Sequence, residues 1–349
     1  MIRVFVVDDS TFVRKAIVKV LHRDPELRVV GEAASGAEAL RTIAGINPDV
    51  VTLDLAMPGL DGLQALRGLL AWRADLPVLM LSAHTHEGAA ATLEALAIGA
   101  VDFVDKSAFS LLDLDSLGRQ LVERIKLWGP GVSASREPRL RKPSPVPPPK
   151  VPAMLAECDL CVIGTSTGGP PALQYIFERL PAGFPMPVAL VQHMPLGFTK
   201  PFADRLNTIC RLAVREARDG DALMPGRVLV APAGRHLMIT ADRSVALATE
   251  PANVAHTPSV DVLMRSAAQA WPGRVLGILL TGMGDDGAKG MAAIRAAGGV
   301  TLGESEASCV VYGMPRAARR IGAIEHERSL TEIAAWLATL GASMTAERR

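Results

Sequence analysis

Two sets of residues in this sequence have the types and spacing to do chemistry. The first is a serine, a histidine and an acidic pair. Ser166 stands in Gly164-Thr165-Ser166-Thr167-Gly168, a G-x-S-x-G pattern after the apolar run Leu160–Ile163 and before Gly169-Pro170 and a helix beginning Ala172-Leu173-Gln174. A serine on a sharp strand-to-helix turn carries its hydroxyl above the sheet edge. The flanking glycines remove Cβ atoms that would crowd the turn, and the N–H groups of the next helix point at a developing oxyanion. His193 follows the run Pro187–Val191 in Gln192-His193-Met194-Pro195. Asp285-Asp286 follow Arg274–Leu280 in Thr281-Gly282-Met283-Gly284-Asp285-Asp286-Gly287. A serine hydroxyl is a poor nucleophile until a base takes its proton. A histidine of ordinary pKa, about 6.5, can do so, and a carboxylate fixes its tautomer and stabilises the imidazolium. Taken singly, each has a plainer reading: an anion-binding turn, a structural histidine, an acidic cap. Three of them at equivalent strand ends point to nucleophilic catalysis.

The second set is acidic. Asp8-Asp9 follow Arg3–Val7, Asp54 follows Val50–Leu53, Ser82 follows Val78–Leu81, and Lys106 lies just past Val101–Val104. Three carboxylates converging on one point repel unless a cation joins them. Hard oxygen ligands suit Mg²⁺, which keeps several waters and often holds phosphate oxygens. Lys106 adds a positive charge for a phosphoryl group, and one carboxylate can serve as nucleophile and become an aspartyl phosphate. The plain alternative is a set of solvated loop acids.

The elements that must position these residues can be read from periodicity. In the first 128 residues the strands named above, with Val29–Ala33, alternate with helical segments Phe12–Leu21, Gly36–Ala44, Leu63–Trp72, Glu87–Ile98 and Asp113–Leu127. Five alternations predict a doubly wound parallel sheet, with chemistry at the carboxyl ends of its strands. Residues 129–152 break the pattern. They hold Gly-Pro-Gly, then Arg136, Arg139, Arg141 and Lys142, then Pro143-Ser144-Pro145-Val146-Pro147-Pro148-Pro149. This reads as a semi-rigid linker of polyproline II character whose basic charges are solvated. From 153 onward a second parallel α/β sheet is predicted. Its helices are Thr199–Leu206, Asp261–Ala270, Ala288–Ala297 and Leu330–Leu340. A further strand is Val300–Leu302, and Arg227–Ala231 and His236–Thr240 are expected to form a hairpin. The domains are therefore 1–128, a linker 129–152, and 153–349.

Composition narrows the classes. The 349 residues suffice for two cores, and 37 basic residues against 36 acidic give a net charge of +1. Such a balance gives no pull toward nucleic acid or an acidic membrane surface. No apolar run reaches the roughly 18 residues that span a bilayer. The N-terminus enters a strand directly, so a cytoplasmic protein without signal peptide is expected. Cys158 and Cys161 form a C-x-x-C, but Cys161 lies within an apolar strand and no second pair completes a zinc site. Small core residues are the reading.

Two pattern matches mislead. The order Ser…His…Asp differs from the Ser…Asp…His of α/β-hydrolases, so G-x-S-x-G is no evidence for that fold. Gly282-Met283-Gly284-Asp285-Asp286-Gly287 fits G-x-G-x-x-G, with Glu304 about 20 residues on. Two aspartates would oppose a pyrophosphate there, so a dinucleotide site is not expected. The remaining histidines, His22, His84, His86, His236, His256 and His326, lack a comparable strand-end setting, although His236 and His256 could reach the cleft.

Asp8-Asp9, Asp54 with Met57-Pro58 and Asp61-Gly62, Ser82, and Asp105-Lys106 together resemble the response-regulator receiver domain. The resemblance implies a flavodoxin-like fold and phosphorylation of Asp54 by a sensor histidine kinase of the CheA type. It also implies Mg²⁺ ligation by Asp9, Asp54 and the Ala56 carbonyl. Asp8, Ser82, Phe103 and Lys106 would support the phosphoryl site, with Phe103 at the aromatic switch position. Asp105 and His84 are not ligands in that pattern. The second domain, with its serine turn, Gln192-His193-Met194-Pro195, Pro258-Ser259-Val260-Asp261 and the Thr281–Gly287 loop, resembles the Rossmann-like catalytic domain of the chemotaxis protein-glutamate methylesterases, the CheB family. By that resemblance Ser166 is the nucleophile, His193 the base and Asp286 its orienting carboxylate, with the N–H groups of Thr167 and Met283 as oxyanion contacts and no cofactor for the hydrolysis. Thr257 stands where arginine is common and Asp285 where asparagine is frequent, departures that concern substrate contacts.

The expected function is a phosphorylation-activated serine hydrolase. It removes γ-methyl esters from chemoreceptor glutamates, deamidates glutamines as well, and works as a cytoplasmic monomer recruited to membrane receptor arrays without inserting in the bilayer. The unphosphorylated receiver is expected to cover the Ser166 cleft. Against this stand a docking protein that only binds receptors, a transcription factor, for which no basic recognition helix follows the linker, and an NAD-dependent enzyme.

Overall fold

A computed structural model of the chain describes residues 1–82, 85–106, 114–129, 153–252 and 254–347. His84 and the linker from residue 130 to 152 lie outside these described residues. The chain divides into two compact units, residues 1–141 and 142–349.

The first unit alternates strand and helix: β1 Ile2–Val7, α1 Thr11–Leu21, β2 Leu27–Ala33, α2 Gly36–Ile46, β3 Val50–Asp54, α3 Gly62–Trp72, β4 Val78–Ser82, α4 His86–Ile98, β5 Asp102–Asp105 and α5 Leu114–Trp128. Its five parallel strands run in the order β2-β1-β3-β4-β5. β3 and β4 are buried throughout, as strands covered by helices on both faces must be. The first four helices start on caps that the local sequence supplies. The side chains of Ser10, Ser35, Asp61 and Thr85 accept from the N–H three residues on, and Asp61 and Gln64 complete a capping box. Ile17 and Leu21 of α1 and Leu121 and Ile125 of α5 pack on Val4, Val6, Leu79 and Leu81, closing one face of the sheet.

The second unit continues with α6 Ala153–Ala156, β6 Leu160–Thr165, α7 Gly169–Phe177, β7 Val188–Gln192, α8 Thr199–Ile209, β8 Ala213–Glu216, β9 Arg227–Val230, β10 His236–Ile239, β11 Val245–Ala248, α9 Val260–Ala270, β12 Val275–Leu279, α10 Ala288–Ala296, β13 Val300–Glu304, α11 Met314–Arg320, β14 His326–Arg328 and α12 Leu330–Glu347. Seven parallel strands form the order β14-β13-β12-β6-β7-β9-β8. The expected β9–β10 hairpin is not formed. β9 lies inside the large sheet, parallel to β7 and β8, because its Val228–Val230 run is apolar and needs cover on both faces. β10 instead pairs antiparallel with β11 across a turn in which Arg243 takes a φ of 65°. Cys158 and Cys161 are unpaired thiols buried among core residues. Among the described residues no helix is long and apolar enough to cross a membrane.

Candidate active site

The register of the second sheet brings Ser166 and His193 together. Thr165 of β6 pairs with Gln192 of β7. Ser166 and His193 are the next residue on each strand, and the His193 N–H closes the ladder on the Thr165 carbonyl at 3.1 Å. On the other flank β12 pairs with β6, and the Ser166 N–H donates to the Thr281 carbonyl at 3.1 Å. Gly168 then turns the chain into α7 with a φ of 79°, in the left-handed region that a side chain would strain. Ser166 thus sits half-buried at the crevice between two strand ends, where doubly wound sheets bind their ligands.

Asp286, on the loop after β12, meets His193: Nε2 lies 2.9 Å from Oδ2. The carboxylate is held from behind by the first turn of α9. It accepts from the Ser259 hydroxyl at 2.9 Å, the Val260 N–H at 2.8 Å and the Asp261 N–H at 2.9 Å. Burial pushes the Asp286 carboxyl up. His193 and the N–H groups of Asp261 and Val260 outweigh it and hold the group at about 2. An ionised carboxylate only accepts, so Nε2 of the imidazole donates, and in the neutral ring it is Nδ1 that carries the lone pair. Nδ1 is buried and, among the described residues, has no partner. The Ser166 hydroxyl therefore does not bond it in this structure, a separation that catalytic pairs commonly close only with substrate bound. The His256 ring stacks on His193 at 4.1 Å and 24°. Burial, followed by the neighbouring His193, lowers the His256 pKa, which favours a neutral ring beside His193.

The N–H groups of Thr167 and Met283 take part in no hydrogen bond among the described residues. Thr167 follows Ser166 directly, and Met283 follows Gly282, where a Cβ would come within 2.9 Å of Ser166 Cβ. Of the two histidines expected to reach the cleft, His256 does and His236 does not. His236 is wholly buried, accepting from the Ser259 N–H on Nδ1 at 3.1 Å and contacting the Pro251 carbonyl through Nε2 at 3.2 Å. Glu304 is also structural. It is buried under the site and accepts the Thr281 N–H at 2.9 Å, which accounts for its place in the misleading G-x-G-x-x-G pattern. Asp285 is exposed beside Asp286 and Thr257 is exposed on the loop before α9.

Sequence reasoning missed the clamp on Asp286. Ser259 before an apolar helix is a legible cap, and it does accept from the Val262 N–H. That the same turn would grip a carboxylate 25–27 residues away is a tertiary fact.

The first sheet gathers the acidic set at its own carboxyl edge. One oxygen each of Asp8, Asp9 and Asp54 lie within 4.8 Å of one another; Asp8 and Asp54 are buried and Asp9 is exposed. Lys106 Nζ reaches Asp8 at 2.7 Å and Asp54 at 2.8 Å. Burial raises the Asp54 pKa against the opposing pull of Lys106. On Lys106 burial works downward, but its bonds to Asp54 and Asp8 prevail and keep it a cation. The donor set of buried and exposed carboxylates, with the exposed Ala56 beside them, suits a hard divalent ion. Ser82 is tied toward α4, donating to the Gly88 carbonyl at 3.3 Å and accepting from Thr92 at 2.7 Å; Phe103 is buried in β5. Arg14, not singled out by the sequence, braces the loop by donating to the carbonyls of Asp8 at 2.7 Å and Asp9 at 3.2 Å.

Fold and sites together define a class: a two-unit α/β protein with a receiver-type acidic pocket on one sheet and a Ser/His/Asp constellation on the other. A CheB methylesterase model matches residues 161–337 and a response regulator receiver domain model matches residues 4–114. The chain belongs to the CheB methylesterase family. It is 45% identical to a protein-glutamate methylesterase/protein-glutamine glutaminase of Symbiobacterium thermophilum, over 92% of each chain. It is 48% identical to one such protein of Myxococcus xanthus, again over 92% of each. The crystal structure of the Thermotoga maritima CheB methylesterase catalytic domain matches with a TM-score of 0.51 at 38% identity, covering 52% of this chain and 98% of that one.

Proposed function

We propose that this chain is a receiver-controlled protein-glutamate methylesterase that also deamidates glutamine side chains, with domains at 1–128 and 153–349 joined by the linker 129–152. The observation that carries the reading is the state of His193. Its Nε2 is fixed on a carboxylate held at about 2, and its Nδ1 is left with a free lone pair one strand from Ser166. Buried side-chain nitrogens are ordinarily hydrogen-bonded, so a bare Nδ1 opposite a fixed Nε2 calls for a role.

In the reaction Ser166 Oγ attacks the γ-carbonyl of a methylated glutamate while His193 Nδ1 takes its proton. The ionised Asp286 stabilises the imidazolium and stays ionised. The oxyanion is received by the N–H groups of Thr167 and Met283. His193 then protonates the departing methoxide, giving methanol and an acyl-Ser166. Water, deprotonated by the same nitrogen, attacks the acyl carbon, and the imidazolium returns that proton to Ser166 Oγ as the glutamate leaves. A glutamine substrate follows the same course with ammonia leaving.

On the receiver, Asp54 is the phosphoryl acceptor and Lys106 holds a phosphoryl oxygen once phosphorylated. Asp9, Asp54 and the Ala56 carbonyl would hold Mg²⁺, which supplies charge neutralisation for the incoming phosphoryl group. Asp8 and Arg14 keep the loop in place. A sensor histidine kinase is the donor and methyl-accepting chemoreceptors are the substrates, met by a cytoplasmic monomer at the receptor array. Names borne by relatives from several bacteria support this assignment. The test is methanol release from methylated receptor membranes: it requires Ser166, so that Ser166→Ala releases none above background. Undiminished release by that variant would overturn the reading.

A further inference from the structure

Beyond the three residues of the constellation, one buried side chain contacts both of its reacting partners through their main chains. Gln192 closes β7 and is 2% exposed. Its Nε2 donates to the carbonyl of Ser166 at 2.9 Å and to the carbonyl of His193 at 3.0 Å. Both acceptors lie past the last rung of the β6–β7 ladder, which is the His193 N–H on the Thr165 carbonyl. Beyond that rung the two strands part, one toward α7 and the other toward the His193-Met194-Pro195 turn. Nothing in a parallel ladder would keep them in register there. The amide of Gln192 supplies the missing rung.

The orientation of the amide is fixed by its surroundings. Two carbonyls accept on one side, so the nitrogen must face them. The oxygen is turned the other way, buried and without a partner among the described residues. It lies over Gly169, where a Cβ would overlap Gln192 Oε1 and Thr165 Oγ1. A buried acceptor left unsatisfied is unfavourable, and an apolar side chain of equal length would avoid it. The sequence tolerates that loss, and glycine at 169 makes room for it. The return is a double tie between the turn that carries Ser166 and the turn that carries His193.

We propose that Gln192 is a positioning residue for the hydrolysis: its side-chain amide bridges the main chains of Ser166 and His193 and sets the separation and facing of nucleophile and base. The proposal rests on the hydrolase reading above. It belongs to the catalytic step and not to substrate recognition, because the amide is buried beneath the site. Displacements of an ångström between reacting groups are enough to cost a hundredfold in rate.

The experiment compares full-length wild type, Gln192→Met and Gln192→Glu by two readouts. One is the second-order rate of Ser166 labelling by a fluorophosphonate ester, which needs no receptor. The other is kcat and KM for methanol release. Gln192→Met keeps the length and removes both donors. It is expected to slow labelling tenfold or more and to lower kcat by a similar factor, with KM within twofold of wild type. Gln192→Glu presents acceptors to two carbonyls when ionised, but one O–H donor when protonated, and burial raises its pKa. Its rate divided by that of wild type should therefore climb as pH falls from 8 to 6, since the ratio cancels whatever titration the two proteins share. A purely structural role would leave that ratio flat.

A folded Gln192→Met that labels at the wild-type rate, or that loses only KM, overturns the proposal. Should that variant fail to show a cooperative thermal transition, the pH slope of Gln192→Glu decides, and a flat ratio overturns it. Failure of the underlying reading is separately visible. Wild type that labels at Ser166 but releases no methanol removes the ester substrate and leaves the bridging role to be judged by labelling. Wild type that does not label at Ser166 removes both.

Discussion

Two carboxylates, Asp54 and Asp286, stand at the carboxyl edges of two parallel sheets in one chain, and they are treated in opposite ways. Asp286 is saturated. Four donors meet its two oxygens, three of them from the first turn of α9, and they override burial to hold it at about 2. Asp54 receives Lys106 at 2.8 Å and the Ala56 N–H at a long 3.3 Å, and burial prevails. A carboxylate that serves another group must stay ionised and still, and fixed N–H donors at a helix N-terminus do that. A carboxylate that itself reacts needs an oxygen left for the incoming group, with a mobile cation rather than a rigid cage. Under the proposed function, the difference between serving and reacting is written in the donors around each acid.

Breaking the served side should have the largest effect. Asp286→Asn keeps the shape but gives His193 a neutral partner, and methanol release should fall by about a thousandfold or more. A loss under tenfold would show that the α9 clamp is not holding a working carboxylate. Next comes Asp54→Ala, which should abolish stimulation by a small phosphodonor with Mg²⁺ while leaving basal release intact. A basal change of similar size would mean that Asp54 acts by some route other than phosphorylation. Lys106→Ala should reduce the same stimulation roughly tenfold, as a single charge-assisted contact is worth. Ser259→Ala removes one of the four donors to Asp286. It should cost about 5- to 30-fold in release, equal to the about 1–2 kcal/mol of one such bond. It should leave receiver phosphorylation untouched.

The smallest effect is on stability. The Asp286 pKa, held at about 2, lies under the ordinary unfolded value near 4, so its stabilisation is present above about pH 4 and lost as pH falls through 2. The expected amount is about 2–3 kcal/mol. Urea unfolding of the catalytic unit, wild type against Asp286→Asn, should show a gap that narrows from pH 5 to pH 2. A gap independent of pH would contradict the clamp.

Much of this was legible in the sequence because it is local. Ser166, His193 and Asp286 each follow an apolar run, and parallel strands bring their carboxyl ends to one edge. The acidic set was legible for the same reason. What escaped depends on distant chain. The short strands β8 and β14, of four and three residues, carry too little pattern. The β9–β10 hairpin was expected from two strand-like runs close in sequence, but partner choice is set by which faces need burial. Gln192 reads as the end of a buried strand, and only the divergence of β6 and β7 reveals what its amide does. The Asp286 clamp required knowing that α9 begins beside the β12 loop.

The most direct test of the two-site account is methanol release from methylated receptor membranes by wild type, Ser166→Ala and Asp54→Ala, each with and without Mg²⁺ and a small phosphodonor. The account predicts release that requires Ser166 in every condition and rises with phosphodonor only where Asp54 is present. Release that persists in Ser166→Ala, or that rises with phosphodonor in Asp54→Ala, would contradict it.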